Sequence, residues 1–171
     1  MEHYKRKFTK LYDKNIDKIY RFVFLKVSSH DSAEDITAQV FTKGWKKFKS
    51  GESIDNTQAY LFQIARAEIA NYYRKESRYK IIPTEFLEIV GDDPSPEQAQ
   101  ELKSDIKEVE DLLSQLKEEY QDILILRYID DYSISEIALM LDKSEGAVRT
   151  TTHRALKALK AKVDKSVTKL A

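Results

Sequence analysis

The chain has 171 residues, a formal net charge of zero and no cysteine, which excludes disulfides and thiolate metal sites and favours a reducing compartment. No apolar run approaches the roughly 18 residues that a membrane helix needs, and the stretch MEHYKRKFTKLYDK has no signal-peptide core. We therefore expect a cytoplasmic protein with no membrane insertion. Since only four Gly and three Pro occur, we also expect long helices.

The zero net charge hides a strong segregation along the chain. Residues 1–80 hold 17 Lys and Arg against 10 Asp and Glu, residues 81–142 hold 4 against 17, and residues 143–171 hold 8 against 2. Charge asymmetry of this kind indicates two ends that bind a polyanion, separated by an acidic middle. Solvated helix faces without a ligand are the alternative.

Three helices are predicted in the first half of the chain. The first spans 4–28 and the second roughly 32–48, because apolar residues recur there at three- and four-residue steps. Asp31 or Ser32 is the predicted N-cap of the second helix. The loop KSGESIDNTQ then leads to a third helix over about 58–79.

The segment IIPTEFLEIVGDDPSPEQAQE holds all three prolines and many acids, so it predicts an acidic linker over 81–105. Helical periodicity resumes near Glu97 or Lys103, and no strand pattern stands out. The predicted fold class is thus all-α, with two small helical domains, 4–80 and 106–165, joined by the linker.

A helix-turn-helix is predicted in DYSISEIALMLDKSEGAVRTTTHRALKALK. SISE matches a capping box, in which Ser133 accepts from a backbone N–H and Glu136 reaches back. DKS supplies a tight turn, and Ser144 is placed to cap the second helix. That helix turns four residues inward, namely Val148, Thr152, Ala155 and Leu159.

The outward face of this second helix is basic, and an α-helix has the diameter to enter a DNA major groove. Arg149 is suited to bidentate pairing with guanine, whereas Lys157 is better suited to phosphate. An ordinary helical hairpin with a solvated basic face is the alternative. The predicted DNA contacts are Ser144, Glu145, Arg149, Thr150, Thr151, His153, Arg154 and Lys157.

Basic and aromatic residues are interleaved on the third predicted helix. This combination suits single-stranded nucleic acid, because bases stack on aromatic rings while cations follow the phosphates. A core role for most of the aromatics is the alternative, and it is favoured for Tyr72 and Tyr73. The polar stripe comprises Gln63, Arg66, Asn71, Arg74 and Arg78.

Two blocks of the sequence resemble a known family. SAEDITAQVFTKGWKKF followed by AYLFQIARAEIANYYRK resembles conserved region 2 of bacterial sigma factors, and LLSQLKEEYQDILILRYIDDYSISEIALMLDKSEGAVRTTTHRALKALK resembles region 4. Two such blocks and nothing else, in a short chain, are similar to the extracytoplasmic-function group of the sigma-70 family. The chain departs from the family pattern at Ala38, Ala67 and Thr151, which bears on promoter sequence more than on fold.

The resemblance implies a sigma factor that binds core RNA polymerase and promoter DNA, melts the DNA and permits transcription initiation. It assigns the −35 element to the helix-turn-helix, and an anti-sigma factor is a further partner that family members often have. It assigns core binding to Asp35, Ile36, Gln39, Val40 and Phe41. It assigns the −10 element to Asn56, Tyr60, Gln63, Arg66, Asn71, Arg74, Lys75 and Arg78.

Two rival functions fit parts of the sequence. A helix-turn-helix regulator that binds operators without polymerase explains 108–163 but gives 35–48 no role, and a polymerase-binding decoy would never open DNA. An enzyme is not expected, because no Glu stands three residues before any of the histidines, as a carboxylate-bridged metal bundle requires, and no phosphate-binding glycine loop occurs. No cofactor, metal or small-molecule substrate is therefore expected.

Overall fold

The computed structural model describes residues 2–77 and 96–170, and every regular element in these ranges is helical, as predicted. Arg78 and the rest of 78–95 lie outside the described residues. A five-residue π-helical turn, Ile125–Ile129, continues the fifth helix. The helices are α1 (Glu2–Val27), α2 (His30–Lys49), α3 (Thr57–Glu76), α4 (Pro96–Ser114), α5 (Glu118–Leu124), α6 (Ile134–Leu141) and α7 (Glu145–Leu170). Within the described ranges, no helix is both long enough and apolar enough to cross a membrane.

The helices α1, α2 and α3 pack together as a bundle, which we call the first unit. Its centre holds large side chains with no exposed surface, among them Phe22, Leu61 and Phe62. Gly44 of α2 lets α3 approach closely, because a Cβ at this position would lie 2.6 Å from Leu61 Cδ2. Burial of apolar surface is the main term that stabilises such a bundle, and it fixes which faces of α2 and α3 remain outside.

The turn between α1 and α2 contains only Ser28 and Ser29. Ser28 adopts a left-handed φ of 53° and donates its N–H to the Phe24 carbonyl at 2.8 Å, which ends α1. Ser29 is the N-cap of α2, and its hydroxyl accepts from the Ser32 N–H at 3.3 Å. The prediction of Asp31 or Ser32 as the cap is therefore wrong, because the extended backbone that a cap needs belongs to Ser29.

The helices α4 to α7 form the second unit, which begins next to Glu97, one of the two positions near which helical periodicity was predicted to resume. α4 starts at Pro96, whose fixed φ and missing N–H suit the first turn of a helix. Residues 96–105, which were assigned to the linker, are therefore helical, and the adjoining Ile106 packs against the core. The remainder of the predicted linker, 81–95, lies outside the described residues.

The helix-turn-helix has the predicted capping box. Ser133 Oγ accepts from the Glu136 N–H at 3.2 Å, and the Glu136 carboxylate accepts from the Ser133 N–H at 2.8 Å. Asp142 ends α6 with a left-handed φ of 53°. Ser144 Oγ then accepts from the Ala147 N–H at 3.1 Å, so it caps α7 as predicted. These local bonds set where α6 ends and α7 begins, and thereby orient the outward face of α7.

The two units lie against each other, with α3 packed on α6 and α1 on α4. Tyr132, just before α6, is 3% exposed and lies edge-on to Phe62 of α3, with ring centroids 5.6 Å apart. Part of the outer face of α3 is covered as a result.

Candidate nucleic-acid interface

The outward face of α7 is exposed and mainly cationic. The Arg149 side chain is 63% exposed and pairs with Glu145 one turn away, Nη2 to Oε2 at 3.1 Å. Surface pairs at this spacing contribute only a few tenths of a kcal/mol, so the guanidinium is available to another acceptor. The other exposed residues of the predicted set on this helix are Thr150, His153, Arg154 and Lys157, and Ser144 is exposed just before it.

Two threonines of α7 are buried. Thr152 is 9% exposed and donates its hydroxyl to the Val148 carbonyl at 2.7 Å, in agreement with its predicted inward position. Thr151 is 8% exposed, although it belongs to the predicted DNA-contacting set. Such burial leaves little of the Thr151 side chain available to a base, so this position differs from its exposed neighbours.

Two residues of the polar stripe of α3, the exposed Gln63 and the partly exposed Arg66, bond to the second unit. Gln63 Nε2 donates to the Leu139 carbonyl of α6 at 3.3 Å. Arg66 Nε donates to Asp122 Oδ2 of α5 at 2.9 Å. Both predicted DNA contacts therefore already have partners in the second unit.

The other residues assigned to the −10 element, where the structure describes them, are exposed, half-buried or bonded within α3 itself. Arg74 and Lys75 are exposed, and Arg74 donates to the side-chain oxygen of Asn71. Asn56 is the N-cap of α3, where its side chain accepts a main-chain N–H at 2.8 Å. Tyr60 is half-buried near the start of the helix. The exposed cations thus lie at the C-terminal end of α3.

The predicted core-polymerase contacts on α2 divide by burial. Asp35 and Gln39 are exposed and lie on the same side of the helix, one turn apart. Ile36, Val40 and Phe41 are at most 5% exposed and belong to the apolar core. In this conformation the three apolar side chains stabilise the first unit and only the two polar ones face outward.

A set of charged and polar residues between the units was missed by the sequence reasoning. Lys26 of α1 is 6% exposed and pairs with the fully buried Asp122. One signal was present: Lys26 follows Phe22 and Val23 at helical spacing and so continues the apolar face of α1. A cation in that place is buried only if a carboxylate meets it, but the sequence does not say which one.

A second buried carboxylate, Asp130, lies on the same boundary. Burial raises the pKa of Asp130, and the nearby Arg21 guanidinium, with which it pairs, opposes that rise. Its Oδ2 has no hydrogen-bond partner among the described residues. Burial also raises the pKa of the neighbouring Tyr132 hydroxyl, and the Asp130 charge adds to the effect. The ionic contacts here join side chains of the first unit to two carboxylates of the second.

Comparison with known proteins identifies both units. Residues 11–79 match the family described as Sigma-70 region 2, and residues 106–159 match Sigma-70, region 4. The chain is 30% identical over 162 residues to the RNA polymerase sigma factor YlaC of Bacillus subtilis (strain 168), with 91% of each chain covered. It is 28% identical over 158 residues to the ECF RNA polymerase sigma factor SigX of the same strain, covering 90% of this chain and 81% of SigX.

A solved structure has a similar fold. The sigma factor RpoE from Bartonella quintana, in complex with the anti-sigma factor NepR, aligns with a TM-score of 0.67 and 24% identity, covering 93% of this chain and 98% of that one. Matches to region 2 and region 4 in this order, together with relatives that align over most of their length, show that the chain belongs to the sigma-70 family of RNA polymerase sigma factors, in the extracytoplasmic-function group.

Proposed function

We propose that this chain binds core RNA polymerase in the cytoplasm and directs it to promoters, where it recognises the −35 element, melts the −10 element and permits transcription initiation. The observation that carries the proposal is the exposed cationic face of α7, presented by a capped turn within the range that matches region 4. No cofactor takes part in this proposed mechanism, because the chain acts by positioning polymerase and by attracting DNA through its charges.

In the proposed mechanism, α7 lies in the major groove of the −35 duplex. Arg149 reads a base edge, while Arg154 and Lys157 bond to phosphates and position the helix. Ser144 and Glu145 lie at the N-terminal end of the helix, where helix-turn-helix proteins make base contacts. Because cations that contact phosphates release counterions, binding should weaken as salt concentration rises.

The −10 element is assigned to α3 and to the loop before it. Arg74 and Lys75 supply exposed cations for the backbone of a separated strand, and the half-buried Tyr60 offers a ring for stacking. Stacking of a base on an aromatic ring contributes about 1–3 kcal/mol, which is comparable to the few kcal/mol that unstacking costs. Capture of unstacked bases would therefore keep the strands apart.

Core polymerase is assigned to the outer face of α2, where Asp35 and Gln39 are exposed. An anti-sigma factor is also proposed as a partner, because the Bartonella quintana relative is seen in a complex with one. When polymerase holds both units, binding of one unit to DNA raises the effective concentration of the other unit at its own element. Two contacts that are weak singly then give strong binding together.

The test is run-off transcription with purified core polymerase and a promoter library, together with co-purification of the two proteins. Site-selected RNA with enriched −35 and −10 sequences is the expected result. Replacing both Asp35 and Gln39 with Ala should reduce core binding, while Asp13→Ala, an exposed carboxylate on α1, should not. Failure to associate with core would favour an operator-binding regulator, and association without RNA would favour a decoy.

A further inference from the structure

A line of cations runs along one side of α1. Its members follow one another at steps of three and four residues, so they share a face of the helix. They are Lys7, Lys10, Lys14, Lys18 and Arg21. At a rise of about 1.5 Å per residue, the line is about 21 Å long. None of these residues belongs to the surfaces proposed for the −35 element, the −10 element or core polymerase.

The two ends of the line differ in their partners. Lys18 donates to the Asp130 carbonyl, and Arg21 pairs with the Asp130 carboxylate, so this end meets the second unit. The members at the N-terminal end, which we call the lysine row, are all exposed: Lys7, Lys10 and Lys14. Within residues 2–77 and 96–170, no member of the lysine row forms an ion pair. Their charges are therefore open to an outside partner.

The lysine row is unfavourable for the helix that carries it. Lys10 lies three residues after Lys7 and four before Lys14, and like charges at these spacings repel one another. Asp13 and Asp17 are close along the chain, but among the described side chains neither of them forms an ion pair. A face that is only solvated gains from charges of alternating sign. A row of one sign is stabilised when a polyanion lies on it.

The lysine row passes the end of α3 at which the helix begins. Gln58, in the first turn of α3, donates to Asn15 Oδ1 of α1 at 2.7 Å. Lys14 is the residue before Asn15, so the row lies beside the start of α3 and the loop 50–56 that leads to it. The exposed cations Arg74 and Lys75 lie at the other end of this 20-residue helix, about 30 Å away. Cations thus flank the proposed −10 surface at both ends.

We propose that the lysine row is a further binding site for nucleic acid, which holds the backbone of the separated DNA strand where that strand leaves the −10 element. This inference rests on the proposed function, since it places the −10 strand on α3. The three ammonium groups are spread over about 10 Å of helix axis, so each can bond to a different phosphate. Because phosphate contacts position a strand without reading bases, this site has no sequence preference.

An acidic protein surface is the other class of partner that a row of lysines can attract. Lysine is depleted at protein–protein interfaces relative to the rest of the surface, whereas it is a regular ligand of DNA phosphates. The row also adjoins the surface proposed for the −10 strand. Both observations favour DNA.

The position of the DNA is tested first, by photo-crosslinking. Because the chain has no cysteine, Lys10→Cys creates a single attachment site for a photoactivated cross-linker. Lys5→Cys is the control, since Lys5 is also exposed but lies about 140° around the same helix. Each labelled chain is assembled with core polymerase and promoter DNA. The label at position 10 should react with the separated strand within a few nucleotides of the −10 element, and the label at position 5 should not.

The charge of the row is tested second, through the salt dependence of binding. The holoenzyme binds a single-stranded oligonucleotide that carries the −10 element and the nucleotides on either side. Each phosphate contact to a single strand contributes about 0.7 to the slope of log affinity against log salt concentration. A chain with Lys7→Gln, Lys10→Gln and Lys14→Gln should therefore lose about 2 from this slope. Its affinity at 0.1 M salt should fall about tenfold or more.

Three controls accompany this measurement. Arg at the same three positions keeps the charges and should keep the slope. A chain with Lys5→Gln, Lys107→Gln and Lys165→Gln loses three exposed lysines at scattered positions and should keep it as well. An oligonucleotide restricted to the −10 element lacks the phosphates assigned to the row, so wild type and the row variant should bind it about equally. Gln and Lys have similar helix propensities, and circular dichroism checks that each variant is folded.

Four results would overturn the proposal. A label at position 10 that reacts with a polymerase subunit and not with DNA would show a protein partner. Equal cross-linking from positions 5 and 10 would show that DNA does not follow the row. Equal losses for the row variant and the scattered variant would show an effect of net charge alone. An unchanged slope in the row variant would show that the row is only solvated. Failure of the proposed function has a different signature, the absence of site-selected RNA from the wild-type chain with core polymerase.

Discussion

The ammonium of Lys18 lies 4.2 Å from the centroid of the Tyr132 ring, although the two residues belong to different helical units. A cation in this position is attracted by the face of the ring. The ring is 3% exposed and also packs edge-on against Phe62. Tyr132 therefore contacts the first unit through its ring and its hydroxyl, so its removal should destabilise the packing of both units.

Tyr132→Ala should lower the free energy of unfolding by about 3–5 kcal/mol, the usual cost of deleting a buried aromatic side chain. Tyr132→Phe should cost only about 1 kcal/mol, because Gln58 Nε2 also donates to Asn15 Oδ1, at 2.7 Å. Urea unfolding measures both. Tyr128→Ala is the control, since Tyr128 is 53% exposed. Similar losses for Tyr128→Ala and Tyr132→Ala would contradict the role assigned to the boundary.

A second prediction concerns Gly44. A Cβ there would meet Leu61 Cδ2 at 2.6 Å, and Leu61 has no exposed surface into which it can move. Overpacking costs about 1–3 kcal/mol, and the better helix propensity of Ala offsets up to about 1 kcal/mol. Gly44→Ala should therefore lower the free energy of unfolding by about 1–2 kcal/mol in urea titrations.

The matched control is Gly146→Ala near the start of α7, where no atom lies within 4 Å of an added Cβ. Ala at an unhindered helical position is expected to stabilise by about 0.4–1 kcal/mol, chiefly by restricting the unfolded chain. A gain at both glycines would mean that α2 and α3 have room between them, which is inconsistent with the observed contact.

The helix-turn-helix was predictable because its determinants are local. Ser133 and Glu136 are three residues apart, so a capping box can be read directly from SISE. The start of α2 was missed because the sequence offered several possible caps, and only the backbone angles distinguish Ser29 from Asp31 and Ser32. Local patterns thus predict that a helix exists better than they predict its first residue.

The candidate site was only partly predictable. The polar stripe of α3 follows from helical spacing, but the bond between Arg66 and Asp122 joins residues 56 positions apart. Nothing near Asp122 in the sequence distinguishes it from the other acidic residues of 81–142. Together they indicate only that this segment carries a net negative charge. Burial of this carboxylate results from the packing of two units, and a one-dimensional pattern does not contain that information.

A third prediction follows from the titration of Glu136. Hydrogen bonds from the Ser133 backbone N–H hold the pKa of Glu136 below its ordinary value of 4.5. The folded chain therefore binds this proton less tightly than the unfolded chain, so the capping box stabilises the fold above the ordinary pKa and loses its effect as the pH falls through the folded pKa. Glu136→Gln should lower the melting temperature at about pH 7 and make little difference at about pH 3.

Melting temperatures measured across this pH range for the wild type and Glu136→Gln provide the test. Their difference isolates the contribution of Glu136, because every other acid is present in both proteins. Glu145→Gln is the control, because it removes an exposed carboxylate from the first turn of another helix and leaves the Ser133 capping box intact. A difference between wild type and Glu136→Gln that stays constant with pH would contradict a role for the ionised carboxylate.

The last prediction separates reading of bases from attraction to phosphates on α7. Arg149 and Lys157 are both exposed cations, so each substitution with Ala removes one positive charge from the same helix. Loss of a bidentate contact to guanine costs about 1–3 kcal/mol at one base pair and relaxes the preference there. Loss of a phosphate contact weakens binding about equally for every sequence. It also reduces the slope of log affinity against log salt concentration by about 1.

Arg149→Ala should therefore change which base is enriched at one −35 position in transcription from a promoter library with core polymerase. Lys157→Ala should lower the RNA yield without changing the enriched sequence. Uniform weakening by Arg149→Ala would rule out a base contact by Arg149, and the surface pair with Glu145 would then be its main interaction.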